Sequence, residues 1–394
     1  MSYKLIELNE DLRRLRELKF NVDIEGAYLI VRDIPYLNSQ KEVKRDGILA
    51  TELTLNGDKT IAPARHQIRF KGEAPCDAQG IAIDALRQSA KKHQVTRGIT
   101  CDFEFSNKPR PEGYLDFREK IQNYAGIISG PASTLDPTAT PMTGNVVEPQ
   151  PDESPFNYLD TNSAKAEISM LSERLAVERI AIVGLGGTGS YVLDQMAKTP
   201  VAQIHIYDGD KFSSHNAFRA PGAASLDELR AQPLKVSYFA DIYSKMHRGI
   251  VSHPEYIDEA NVAELTQMDC VFLCMDAGPG KRLIVETLGP SKVPFFDASM
   301  GLYEKADRIG GILQVTTSTE SNRDQARDRM SLADADEPNE YDQNIQIADL
   351  NALNAQLAVL RWKKMRGFYH AFDRANFSSF TVGSNLLLNE DQYD

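Results

Sequence analysis

Two cations and two carboxylates follow a glycine loop in this chain, and together they suit a reaction at a phosphate. The stretch Ala181-Ile182-Val183-Gly184-Leu185-Gly186-Gly187-Thr188-Gly189-Ser190 runs an apolar strand into a glycine turn and then into a helix. Glycines there let the backbone approach a phosphate with no Cβ in the way. The first N–H groups of the helix then face the anion. Asp208 follows Gly189 by 19 residues, at the end of the apolar strand Ile204-His205-Ile206-Tyr207. An acidic side chain at that place reaches a ribose hydroxyl. These two pieces alone fit a nicotinamide cofactor as well as any other nucleotide. Asn216 and Arg219 lie beyond Asp208, Lys235 follows, and Asp276 ends the apolar run Val271–Met275. Hydride transfer needs few cations at the phosphates, whereas nucleotidyl transfer builds charge on the α-phosphate and the leaving pyrophosphate. Asp276 offers the hard oxygen donors that Mg²⁺ prefers. The pattern points to ATP with Mg²⁺.

These residues need a scaffold that brings them to one edge. Strand and helix patterns alternate: strand 178–183, helix 188–198, strand 203–208, helix 226–247, strand 269–275, helix 280–289, then strands 293–297 and 309–316. This predicts an α/β fold, a Rossmann-like, doubly wound, mostly parallel sheet. Ligands of such sheets sit beyond the carboxyl ends of the strands, so Asp208 and Asp276 are expected beside Gly184–Gly189. A helix at 163–176 precedes the alternation. The polar segment 317–343, with Ser318 and Thr319, is expected as a mobile loop at the ligand edge. A helix at 346–366 carries Leu350, Leu353, Leu357 and Leu360 on one stripe, read as core or dimer packing.

Upstream, residues 1–128 read as a smaller α+β domain. Asn9-Glu10-Asp11 opens a helix, strands are expected at 28–32, 47–55, 66–70 and 98–105, and Asn56-Gly57 is a turn. Helical patterns cover 81–93 and 114–129. Prolines 131, 137, 141, 149, 151 and 155 mark a linker over 129–160, which leaves 161–394 as the second domain.

Two domains suit 394 residues, which exceed one ordinary core. A formal charge of −12 argues against nucleic acid as a partner, since phosphate binding needs a basic surface. No apolar run is long enough to span a membrane, and Met1-Ser2-Tyr3-Lys4 leads into a charged helix rather than a secretory signal. The four cysteines form no CxxC pair, which argues against zinc. Cys270 and Cys274 are expected as buried, inert thiols. A cytoplasmic setting fits. Cys76 lies ten residues after His66, a spacing similar to that of ubiquitin-conjugating enzymes. The surrounding elements do not follow that fold's order, so Cys76 is assigned to a loop or the core. His215 is read as a local hydrogen-bonding residue.

The whole constellation resembles the ThiF/MoeB and ubiquitin-activating-enzyme superfamily of adenylyltransferases, over about residues 163–385. The family's GxGGxG loop is similar to Gly184-Leu185-Gly186-Gly187-Thr188-Gly189. Its DxD and SNLxRQ-like segments are similar to Asp208-Gly209-Asp210 and Ser214-His215-Asn216-Ala217-Phe218-Arg219. Its lysine matches Lys235, and the aspartate of its C-x-D-N segment matches Asp276. The resemblance implies a ribose contact for Asp208, phosphate contacts for Asn216, Arg219 and Lys235, and magnesium for Asp276. Ala220 and Ala277 stand where the family has glutamine and asparagine. The zinc pairs are missing, and 316–343 holds no cysteine for thioester transfer. The resemblance also implies a homodimer in which a basic residue ahead of the first strand, Lys165 or Arg174, reaches the partner's ATP.

The leading expectation is ATP-dependent adenylation of the C-terminal glycine of a ubiquitin-like protein, in a conjugation or sulfur-carrier pathway. A C-terminal carboxylate is ionised at pH 7 and needs no general base. The N-terminal domain would recruit that protein or a conjugating enzyme. Ser318 or Thr319 could accept an acyl group only with a base beside it. Two alternatives stay open: an NAD-dependent oxidoreductase, and a catalytically silent ThiF-like scaffold.

Overall fold

The computed structural model describes residues 2–145, 154–158, 160, 162–163, 168–332, 345–372 and 375–392. They divide into two compact units. The first runs to residue 145 with the described part of 158–171, and the second holds 154–157 and the residues from 172 on.

In the first unit, α1 (Ser2–Leu8) and α2 (Glu10–Glu17) precede β1 (Asn21–Glu25), β2 (Tyr28–Leu37) and β3 (Val43–Glu52). The hairpin β4 (Leu55–Asn56) and β5 (Lys59–Thr60) closes at the expected Asn56-Gly57 turn. Then come β6 (Ile68–Lys71), β7 (Arg87–Ser89), β8 (His93–Gln94), β9 (Thr100–Cys101), β10 (Phe103–Phe105) and α3 (Phe117–Leu135). The sheet order is β1-β2-β3-β6-β10-β7. Strand β2 reads as an almost continuous apolar run because both its faces are covered. Leu29 and Val31 meet the helices through Leu12, Leu15, Ile121 and Tyr124, while Tyr28 and Ile30 meet Val95, Ile99 and Cys101.

Two expectations fail in this unit. Residues 81–93 form no helix; they turn into β7 and β8 after Asp77, whose carboxylate accepts from the N–H groups of Gln79 and Ile81. The expected linker also starts too early at 129. Helix α3, capped by Asp116 accepting from Glu119 N at 2.7 Å, continues through Pro131 to Leu135. Residues beyond it stay attached: Arg45 pairs with Asp136 at 2.6 Å, Ala139 is buried, and Asn145 donates to Asp33 at 2.8 Å. Proline-rich composition lowers the density of apolar contacts without removing them, and a few polar anchors hold this stretch.

After α4 (Ser169–Ser172), the second unit runs β11 (Arg179–Val183), α5 (Gly187–Met196), β12 (Gln203–Tyr207), α6 (Ser214–Ala217), α7 (Leu226–Ala231) and α8 (Lys235–Tyr243). It continues with β13 (Ile250–His253), β14 (Cys270–Leu273), α9 (Pro279–Leu288), β15 (Phe295–Lys305) and β16 (Arg308–Ser318). Helices α10 (Arg323–Asp328) and α11 (Ala348–Met365) and strands β17 (Ala375–Thr381) and β18 (Leu386–Gln392) complete it. The eight strands lie in the order β13-β12-β11-β14-β15-β16-β17-β18. The first five are parallel and the last three antiparallel. The unit is the expected Rossmann-like, mostly parallel sheet. Strand order reverses at β11, with β12 on one side and β14 on the other. A cleft opens there, beyond their carboxyl ends.

Local corrections bear on that cleft. The single helix expected over 226–247 is broken at Gln232, whose φ is +45°, and at Pro233; Lys235 thereby becomes the first residue of α8. Of the helix expected over 163–176, residues 162–163, α4 and one tight turn at 173–175 are helical among the described residues, and 164–167 lie outside them. Ser318 ends a strand instead of lying in a mobile loop: it is buried, and its hydroxyl accepts from Arg323 at 3.0 Å. Thr319 likewise turns inward on Asn322. Residues 333–344 of that segment lie outside the described ones. The leucine stripe of α11 is not its core face. Ala355, Ala358, Val359 and Trp362 fill the core, and Leu360 stays 40% exposed. Small residues let α11 approach α5 closely, which the leucines could not.

Candidate functional site

The glycine loop owes its sequence to three separate close approaches and one open space. Gly184 leaves β11 with φ +88°, and a Cβ there would stand 2.5 Å from the Cys274 carbonyl oxygen. At Gly187 a Cβ would meet Asn351 Nδ2 at 2.0 Å, and at Gly189 the Gly184 carbonyl oxygen at 1.8 Å. Both would force backbone or buried side chains apart. Gly186 is different: the nearest atom to its Cβ position is Gln346 Oε1, at 3.9 Å. Its missing side chain leaves room on the cleft side, at the N-terminus of α5.

The cleft has a volume of about 880 Å³, the range of nucleotide-sized sites. Gly184, Gly186 and Gly187 line it together with Asp208, Arg219, Lys235 and Asp276. Seven of the nine expected site residues therefore meet in one place. The other two stand behind it. Gly189 lets α5 pack against β11. Asn216 caps α6, its Oδ1 accepting from Ser213 N at 2.9 Å, while its buried Nδ2 has no hydrogen-bond partner among the described residues. His215 bonds the Ser213 hydroxyl, the local role expected of it.

Asp208 is buried and firmly held. Its Oδ2 accepts from Leu185 N at 2.7 Å and from Lys235 Nζ at 3.2 Å, and its Oδ1 from Asp210 N at 2.8 Å. Lys235 reaches Asp210 Oδ2 as well, at 2.7 Å, because the break before α8 turns the lysine back over these two carboxylates. Burial alone would raise the Asp210 carboxyl; hydrogen bonds from Lys235 and Tyr256 overcome it and hold the group below its ordinary value. Arg219 is desolvated, which lowers its guanidinium, and the nearby Asp276 and Asp210 oppose that. Its Nε has no hydrogen-bond partner among the described residues. A half-buried guanidinium with an unused donor, facing a cleft, is suited to an anion.

Sequence reasoning missed several groups here. Lys281, in the first turn of α9, is 1% exposed and stands 2.7 Å from Asp297, itself fully buried; Lys281 lines the cleft. Tyr256 lines it from the loop after β13 and donates to Asp210. Asn351 and Asn354 on α11 tie its two walls, Asn351 accepting from Thr188 and Asn354 donating to the Ser299 carbonyl. Lys281 lies five residues past Asp276, a spacing that marks the first helical turn beyond that loop. The others carry no signal in one sequence.

Arg174 donates to the Gly367 carbonyl at 2.5 Å, and Lys165 lies outside the described residues. Cys76 is buried, its thiol directed to the Ala74 carbonyl, and desolvation pushes its pKa up; a thiol so placed is not a nucleophile. Cys270 is buried, and Cys274 lies at the cleft's floor with its thiol raised by burial. Among the described residues no cluster of three His, Cys, Asp or Glu is disposed to hold a metal, and no helix is long and apolar enough to cross a membrane.

Comparison with known proteins bears on this geometry. The ThiF family model matches residues 162–362, and residues 10–161 match a domain of unknown function, DUF6791. Ubiquitin-like modifier-activating enzyme 5 of Drosophila mojavensis is 24% identical over 153 residues, covering 36% of this chain and 37% of that protein. The Drosophila virilis protein of the same name gives the same figures. The chain thus spans little more than a third of the length of these relatives. Among solved structures, PaaA is similar at a TM-score of 0.43 and 17% identity, over 59% of this chain and 70% of that one. Escherichia coli MccB, solved with AMPCPP and MccA, is similar at 0.46 and 12% identity, over 59% and 72%. With the family model spanning about half of the 394 residues and the glycine loop, Asp208, Arg219, Lys235 and Asp276 around one cleft, the chain belongs to the ThiF family.

Proposed function

We propose that this cleft binds Mg-ATP and transfers AMP to the C-terminal glycine carboxylate of a ubiquitin-like protein, releasing pyrophosphate. The observation that carries the reading is that Arg219, Lys235 and Asp276 line the same cleft as Gly186, whose Cβ position is open. The residues fit the nucleotide: a helix N-terminus and a glycine without a protein neighbour for the phosphates, and a fixed carboxylate, Asp208, for a ribose hydroxyl. Ile257 and Met275 supply an apolar wall for the base.

In the reaction a carboxylate oxygen attacks the α-phosphorus, and the bond to the bridging oxygen of the β-phosphate breaks with its electron pair. The attacking group is already ionised, so no base is required. The chain's own residues hold the two reactants in line and offset the charge that grows on the leaving group. Lys235 and Arg219 supply that stabilisation at fixed positions. Asp276, with phosphate oxygens and water, offers the donors of a magnesium ion, which adds charge neutralisation at the pyrophosphate.

The enzyme would work as a cytoplasmic homodimer, with residues 1–145 recruiting the ubiquitin-like protein or a conjugating enzyme. Intact-mass spectrometry tests the reading. The chain, Mg-ATP and a ubiquitin-like protein ending in glycine should yield an AMP adduct on that protein. Tight binding of NAD with no ATP consumption would favour an oxidoreductase instead, and Mg-ATP binding without any adduct a silent scaffold.

A further inference from the structure

Lys235 stands in the middle of a chain of polar contacts whose outer end is an exposed tyrosine. Tyr256 donates to Asp210 Oδ1; Asp210 Oδ2 lies 2.7 Å from Lys235 Nζ; Lys235 then reaches Asp208, which is fixed by Leu185 N. The inner carboxylate is buried, but the Asp210 side chain is 51% exposed. Besides Lys235, the side chain that fixes it is Tyr256. The Tyr256 ring is itself 64% exposed, so burial does not explain its placement. Its backbone is nevertheless anchored: Asn261 Nδ2 donates to the Tyr256 carbonyl at 2.9 Å, and Ile257 beside it is buried. The ring lies flat enough on Gly209 that a Cβ there would come within 2.8 Å of it. An aromatic ring left in water at a cleft rim, with its hydroxyl aimed at a carboxylate, contributes through the hydroxyl more than through packing. Asp210 pushes that phenol up to about 12, so it remains a donor at neutral pH.

An ammonium has three N–H donors. Two of those on Lys235 go to Asp208 and Asp210, and the direction of the third follows from where these carboxylates sit. We propose that Tyr256 is a positioning residue for Lys235, acting through Asp210 to aim the remaining N–H at the phosphates of the bound nucleotide. The proposal rests on the reading of the cleft as an ATP site.

A double-mutant cycle on the full chain, with Mg-ATP affinity measured by calorimetry, tests it. Tyr256→Phe keeps the ring on Gly209 and removes only the hydroxyl. It should weaken Mg-ATP binding on the order of three- to tenfold, the effect of one hydrogen bond. In the Asp210→Asn background the same change should cost nothing further, because the path to Lys235 is already altered. A tyrosine acting on the cleft independently of Asp210 would not show this coupling. Wild-type affinity in Tyr256→Phe, or an equal loss in both backgrounds, overturns the proposal while leaving the ATP reading standing. A wild-type chain that binds no Mg-ATP removes both.

Discussion

Gly186 separates what the fold needs from what a ligand needs. In Gly186→Ala the new methyl meets nothing closer than Gln346 Oε1 at 3.9 Å, and φ there is −71°, outside the left-handed range. The unfolding free energy should therefore stay within about 0.5 kcal/mol of wild type. Gly187→Ala and Gly189→Ala provide the contrast, because their methyls would stand 2.0 Å from Asn351 Nδ2 and 1.8 Å from the Gly184 carbonyl oxygen. Such overpacking costs about 1–3 kcal/mol or more. Nucleotide binding should sort the variants differently. On the proposed reading a methyl at 186 would take the place of a phosphate oxygen and remove at least one charge-assisted hydrogen bond, worth about 1.5–3 kcal/mol. That corresponds to a loss of roughly ten- to a hundredfold in Mg-ATP affinity. Urea unfolding and calorimetric titration on the same preparations give both numbers. A Gly186→Ala chain that is stable and binds Mg-ATP as wild type does would refute the assignment of this loop to phosphate.

Asn216→Asp keeps the acceptor that caps α6 and removes the unpartnered Nδ2 donor; thermal stability should hold while Mg-ATP affinity falls several-fold. Asn216→Ala should instead lose about 1 kcal/mol of stability with the cap. Lys281→Met leaves Asp297 charged and unpaired in the core, and urea unfolding should show a loss of about 3–5 kcal/mol, largely recovered in Lys281→Met with Asp297→Leu. Lys120 is buried, its hydrogen-bond partners among the described residues are the Thr51 hydroxyl and the Arg65 carbonyl, and desolvation lowers its pKa to about 7 from 10.5. Between those values the unfolded chain holds a proton that the folded chain has released, so stability rises with pH by on the order of 1 kcal/mol per unit. Lys120→Met should abolish that slope in denaturation series run from about pH 7.5 to about pH 9.5.

The parallel part of the second unit was legible because its central strands are buried on both faces and periodic helical patterns alternate with them. Glycine spacing marked the loop because close approaches at Gly184, Gly187 and Gly189 leave no room for a Cβ there. Asp208 and Asp276 could be found because each follows a strand whose carboxyl end faces the cleft, whereas Arg219 and Lys235 were legible only through their spacing and the family motifs. What remained hidden depends on tertiary partners. Tyr256 sits in a loop whose shape comes from Asn261, and the Lys281–Asp297 pair joins a helix to a strand 16 residues later. Asn351 and Asn354 replaced the leucine stripe as the inward face of α11 because the glycine loop admits only a close helix approach. In the first unit, the segment 136–145 is held by long-range anchors such as Arg45 and Asp33, which local composition cannot reveal.

Exchange of labelled pyrophosphate into ATP addresses the chemistry most directly, because it requires reversible attack at the α-phosphate and nothing after it. With the full chain, Mg-ATP and a ubiquitin-like protein ending in glycine, exchange should rise when that protein is added. It should be lost in Asp276→Ala. Equal exchange by wild type and Asp276→Ala would contradict adenylation in this cleft.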